Sequence, residues 1–425
     1  MKPIRKVLSN GLRLIIVPMK DNPTVTVTVL VETGSKYEKR EENGLSHFLE
    51  HMCFKGTTKR PTAMDIAREL DGLGAQSNAF TSHEYTGYYA KGAVKHFPNL
   101  VDIIADVYLH STFPQEEIEK EKGVIVEEIN MYEDMPHRKV QDLFMELLYK
   151  DTPAGWSITG TPEIVRSLKR ENFVQYHKLH YVPGATVVIV SGGINEDEAV
   201  SKVEEYFASM EHGEKGAKLE VLDAQDSPAV LISEKKTDQT HFVLGTRTFP
   251  ITDDEKMPVL SVMATILAGG MSSRLFQKLR EELGACYYVR GFNDPFTDHG
   301  FMEIAVGADS TRVDLVISEV LKECKRMKDE LVSEDELARV KEYLIGNMLL
   351  ELESSDSFSN FYGSQEILNR PIRTPEEVSE RVRKVTSADI QNLAREIWNK
   401  NTLNLAIIGP YTRSEEGRFL KLLEI

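Results

Sequence analysis

Residues 113–129 and 332–348 run in phase without a gap, at an offset of 219 positions, and this internal repeat limits the folds open to the 425-residue chain. The first segment starts Phe113-Pro114-Gln115-Glu116-Glu117-Ile118 and the second Val332-Ser333-Glu334-Asp335-Glu336-Leu337. Each opens with a helix-start signal and keeps its apolar positions in register. The two halves therefore share one fold, and at about 210 residues each is large enough for its own core. The expected division is a first domain over 1–210, a second over 229–425, and a polar linker at 211–228 that contains Glu211-His212-Gly213-Glu214-Lys215-Gly216. Alternating runs such as Thr24–Val31 read as strands, and longer periodic stretches such as Ala93–His110 and Thr311–Lys328 read as helices. Strands come in adjacent groups with the helices grouped between them. The expected class is α+β, an antiparallel sheet packed with helices in each of two duplicated domains.

The halves differ in chemistry. His47-Phe48-Leu49-Glu50-His51 places two imidazoles four residues apart, one above the other on a helix, with Glu50 on the same edge. That spacing offers a metal two nitrogen ligands and leaves a carboxylate free to act as a base. Ser46 and Asn43 are the candidate N-caps, and Leu45, Phe48, Leu49 and Met52 form the apolar face. A catalytic site needs a third ligand. Residues 114–135 predict a second helix with an apolar stripe at Ile125 and Ile129, on which Glu121 and Glu128 fall two turns apart on one face. One of the two can ligate while the other orients a ligand. At the repeat offset Glu128 falls on Asn347 and Glu121 on Val340, and the second half has no H-x-x-E-H. One half binds metal and the other does not.

Gly44-Leu45-Ser46-His47-Phe48-Leu49-Glu50-His51-Met52-Cys53-Phe54-Lys55-Gly56-Thr57, followed by Val124-Ile125-Val126-Glu127-Glu128-Ile129-Asn130-Met131-Tyr132, resembles the insulinase and pitrilysin family of zinc peptidases. Its flavour is that of the mitochondrial processing peptidase and bacterial homologues. The resemblance spans essentially the whole chain. It implies one Zn2+ per chain on His47, His51 and Glu128, with Glu50 as general base and Glu121 as the outer partner of a ligand. Residues 73–86 resemble the family's edge strand for peptide addition, which implies substrate contacts at Asn78, Ala79 and Phe80. Read from the residues alone, Gly74, Ser77 and Asn78 also suit an ordinary hairpin. The segment 272–287 resembles the one in which an arginine and a tyrosine bind peptide and steady the oxyanion, here Arg280 and Tyr287.

The function so implied is a zinc endopeptidase acting on peptides or unfolded polypeptides in a chamber formed by a homodimer. The alternatives are a presequence-type processing peptidase of narrow specificity and a non-catalytic scaffold subunit. With 51 basic and 67 acidic residues, the formal charge of −16 argues against a nucleic-acid partner. No apolar stretch reads as a signal peptide or a membrane span, and three cysteines, Cys53, Cys286 and Cys324, suit a reducing cytoplasm. Cys53 points away from the ligand face, as a packing residue would.

Overall fold

The computed structural model describes residues 2–221 and 224–424. Its strands are β1 (Ile4–Val7), β2 (Arg13–Pro18), β3 (Thr24–Val31), β4 (Gln76–Thr81), β5 (Thr86–Ala93), β6 (Thr186–Gly192), β7 (Ala229–Glu234), β8 (Gln239–Thr248), β9 (Cys286–Pro295), β10 (Gly300–Asp309) and β11 (Leu403–Gly409). They form a six-stranded sheet, β1-β2-β6-β3-β5-β4, and a five-stranded sheet, β7-β11-β8-β10-β9. The α+β class holds, but the sheets are mixed rather than purely antiparallel. β2 runs parallel to β6 in the first and β7 parallel to β11 in the second. In each, the late strand returns through a long helical excursion, so its direction is not set by a hairpin.

The chain divides into two compact units, and neither is a contiguous half. One comprises Met1–Asn130, Trp156–Leu219 and Leu349–Pro375; the other comprises Met131–Gly155, Glu220–Met348 and Glu376–Ile425. The expected boundaries at 1–210 and 229–425 thus miss two segments that leave their own half. Each carries one helix, Pro136–Tyr149 and Ser355–Ile367, which begin one repeat length apart. Within the expected linker 211–228, residues 222 and 223 lie outside the described residues, and the others are irregular.

The first sheet explains why a remote helix is recruited. Val25, Val27, Val29 and Val31 of β3 join a core with helices Leu45–Cys53, Phe97–Leu109 and Gln115–Glu133. The alternating threonines face the other way, where a one-sided sheet would meet water. Instead helix Ser355–Ile367 covers them. Thr26 Oγ1 lies 2.8 Å from Ser355 Oγ, and Ser359 Oγ donates to Thr28 Oγ1 at 2.7 Å, all four groups being buried. Gly363 lets that helix approach closely, since an added Cβ would stand 2.9 Å from Leu30 Cδ1. In the second unit Val140, Phe144 and Leu148 of helix Pro136–Tyr149 pack on Val243, Phe301, Ala305 and Ala406. No helix among the described residues is long and apolar enough to cross a membrane.

Candidate metal centre

The motif helix Leu45–Cys53 buries Leu45, Phe48, Leu49 and Met52 and turns His47, Glu50 and His51 toward helix Gln115–Glu133. Its start differs from expectation. Neither Asn43 nor Ser46 caps it: Gly44 takes the left-handed cap position at φ 95°, and no capping side chain follows from within the turn. The buried carboxylate of Glu38 does that work from the preceding segment. It accepts from Gly44 N at 2.8 Å, from Ser46 N at 2.6 Å and from Asn43 Nδ2 at 3.0 Å. Burial pushes Glu38 up to about 7, against the pull of these donors. Ser46 sits inside the helix and bonds Tyr176.

His47 Nε2 and His51 Nε2 each lie 3.7 Å from Glu128 Oε2. The three donor atoms fall within 4.8 Å of one another, the one such group of metal-binding side chains among the described residues. A tetrahedral ion with bonds of about 2.0–2.2 Å holds ligand atoms roughly 3.4 Å apart. The spacing and the donor chemistry therefore fit zinc. His51 is oriented from behind, its Nδ1 lying 2.9 Å from Glu121 Oε1, and Lys55 Nζ pairs with Glu121 Oε2 at 2.6 Å. Burial works to raise Glu121, but these two partners win and hold it below the usual carboxylate range. Burial and the neighbouring His51 push His47 down to about 3, leaving a neutral imidazole as a metal requires.

Glu50 is close by but is not one of the three donors. Burial raises its carboxyl above the ordinary range, while Thr81 Oγ1, donating to Oε2 at 2.7 Å, pulls the other way. Among the described residues no hydrogen bond reaches Oε1. Sequence reasoning missed both Thr81 and Glu38 as partners of this helix. Nothing in spacing could have found them, because each acts from a separate segment.

Of the other candidates, Asn78, Ala79 and Phe80 lie on β4, at the free edge of the first sheet. They alternate between faces. Ala79 packs toward the motif-helix core, while the Phe80 ring lies over Gly87, where an added Cβ would stand 2.4 Å from its Cζ. Arg280 and Tyr287 belong to the second unit. Arg280 Nη1 donates to the carbonyls of Cys286, at 3.2 Å, and Tyr287, at 2.5 Å, and the Tyr287 side chain is exposed. The metal group is built wholly within the first unit. Cys53 is buried, with its thiol 3.6 Å from Tyr88 Oη, as a packing residue.

With this geometry in view, two family models match: the insulinase model (peptidase family M16) over residues 14–162, and the M16 inactive-domain model over 167–344. The chain belongs to the M16 family. Among its M16 relatives is the "uncharacterized zinc protease YmxG" of Bacillus subtilis, 36% identical over 96% of this chain and 98% of the relative. A second, an "uncharacterized zinc protease" of Mycobacterium leprae, is 35% identical over 96% of this chain and 92% of the relative. The fold matches the crystal structure of a protease from Helicobacter pylori with a TM-score of 0.90 at 20% identity, covering 96% of this chain and 99% of that one. The first unit's motif helix thus falls in the insulinase segment, and most of the second unit in the segment described as inactive.

Proposed function

We propose that this M16 chain is a zinc endopeptidase. The observation that carries the reading is the convergence of His47, His51 and Glu128 beside a carboxylate, Glu50, that is left out of the donor set. His47, His51 and Glu128 hold one zinc per chain, and Glu121 fixes the ring of His51. When bound, zinc polarises the scissile carbonyl and makes a water molecule at its open position more acidic. Glu50 takes the proton of the attacking water through Oε1. As the water oxygen joins the carbonyl carbon and the carbon–nitrogen bond breaks, it returns that proton to the leaving amine.

The substrate is a peptide or unfolded polypeptide that adds as a strand to the free edge of β4, along Asn78, Ala79 and Phe80. Backbone pairing of this kind tolerates varied side chains. The chain works as a homodimer in which Arg280 and Tyr287 of one protomer bind peptide and steady the oxyanion in the other's site. Arg280, on the preceding helical segment Phe276–Glu282, grips the carbonyls of Cys286 and Tyr287 at the start of β9, and the exposed Tyr287 side chain beside it supports a joint role. A cytoplasmic setting accords with three buried, free cysteines.

The test is metal content together with hydrolysis of a mixed set of quenched peptides, native chain against Glu50→Gln. A native chain that holds zinc and cuts, with a variant that holds zinc and does not, supports the reading; zinc without cutting in both sinks it. Mixing Glu50→Gln with Arg280→Ala chains tests the dimer, since shared sites regain activity in mixed dimers and separate sites do not.

A further inference from the structure

The free edge of β4 and the carboxylate of Glu50 meet in one residue. Thr81 is the last residue of β4, and its hydroxyl donates to Glu50 Oε2 at 2.7 Å across 31 positions of sequence. The backbone of the same residue faces outward. Ser82 N donates to Tyr85 O at 2.9 Å where the β4–β5 hairpin closes. In an antiparallel ladder the bonding direction alternates, so Phe80 and Asn78 turn their peptide groups toward β5, while Thr81 and Ala79 turn theirs to the free edge. The Ala79 N–H agrees with this: it is satisfied by Asn78 Oδ1 at 2.9 Å rather than by β5. A strand laid on this edge therefore pairs with the backbone of Thr81, whose side chain already holds the base.

We propose that Thr81 is a positioning residue that couples the peptide-binding edge to Glu50, fixing one carboxylate oxygen so that the other faces the attacking water. The inference rests on the zinc-peptidase reading for its catalytic meaning, but its structural content stands apart from activity. A glutamate side chain has several rotatable bonds, and nothing else among the described residues hydrogen-bonds this carboxylate. Peptide pairing then stiffens β4 and, through Thr81, the base. Binding and proton transfer are linked without any direct contact between peptide and Glu50.

The test uses zinc-loaded native, Thr81→Val and Thr81→Ser chains. Valine keeps the β-branched shape that suits a strand and removes only the donor. Thr81→Val is expected to lose about 10- to 100-fold in kcat, with KM and zinc content unchanged, the loss seen when a partner that orients a working group is removed. Thr81→Ser restores most of the rate. An unchanged kcat in Thr81→Val, or a rise in KM alone, overturns the proposal. Crystal structures of the zinc-loaded native and Thr81→Val chains give a second readout: Glu50 leaves its rotamer in the variant if Thr81 holds it, and stays if it does not. Should the native chain cut no peptide at all, the peptidase reading falls, and the Glu50 rotamer still decides the role of Thr81.

Discussion

Helices Gln115–Glu133 and Glu334–Glu351 are repeats of one another, and the chemistry of the molecule lies in how they differ. In the first, Glu121 bonds His51 and Glu128 lies beside both motif imidazoles. In the second, the equivalent of Glu121 is Val340, packed in the core, and the equivalent of Glu128 is Asn347, exposed and bonding back to Tyr343 O at 2.8 Å. The two histidines of the second half of the chain also have other work. His241 Nδ1 bonds Tyr288 Oη at 3.0 Å, and His299 Nδ1 lies 2.8 Å from Asp298 Oδ1. The apolar positions that build the scaffold survive in both copies. The ligand positions do not, so the residues that build the scaffold and those that offer metal donors are separate sets.

The largest expected effect comes from removing a donor. Glu128→Ala or His51→Ala should lose bound zinc and all measurable peptide hydrolysis, whereas Asn347→Ala should leave both untouched and change stability by less than about 0.5 kcal/mol. Metal analysis and peptide assay of the three variants read this, and zinc retained by Glu128→Ala would break the comparison. Next, Glu50→Gln should keep zinc while kcat falls by about 10²- to 10⁴-fold, the usual contribution of a general base. A variant that retains its rate would remove Glu50 from the chemistry.

A smaller effect separates support from ligation. Glu121→Gln should weaken zinc binding by about 10- to 100-fold, measured by competition with a chelator, because His51 loses the carboxylate that orients it. Val340→Ala, at the same repeat position, should cost stability of about 1–3 kcal/mol and leave zinc affinity as it was.

A last effect, on stability alone and not on the chemistry, lies in the second unit. Glu303 of β10 is buried in the sheet, and burial together with Asp294 raises its carboxyl to about 8. Its folded pKa exceeds its unfolded one, so the contribution to stability is complete below about pH 4.5 and is lost as pH rises toward 8. The slope is at most about 1.4 kcal/mol per pH unit. Glu303→Gln should therefore melt above the native chain at pH 8 by a wider margin than at pH 5. An equal margin at both values would mean that Glu303 is ionised throughout.

Much of the site was legible because its residues lie on two helices with fixed periodicity. The four-residue spacing of His47 and His51 and the seven-residue spacing of Glu121 and Glu128 each specify a face, and a face is a local property of the backbone. Periodicity left open which glutamate ligates, and the resemblance chose Glu128. The strand Thr24–Val31 was equally plain from its alternation. The same alternation misleads about its surroundings, since the threonine face meets Ser355 and Ser359 rather than water.

The sequence by itself determined the duplication, the class of the fold, and which half carries metal-binding side chains, because helical phase and strand alternation are written into neighbouring residues. Only the tertiary structure decided that helices Pro136–Tyr149 and Ser355–Ile367 pack outside their own halves, that Glu38 closes the start of the motif helix, and that Thr81 holds Glu50. Each of these pairs groups from separate segments of the chain. Such pairings follow from the packing of whole surfaces, and no local pattern encodes them.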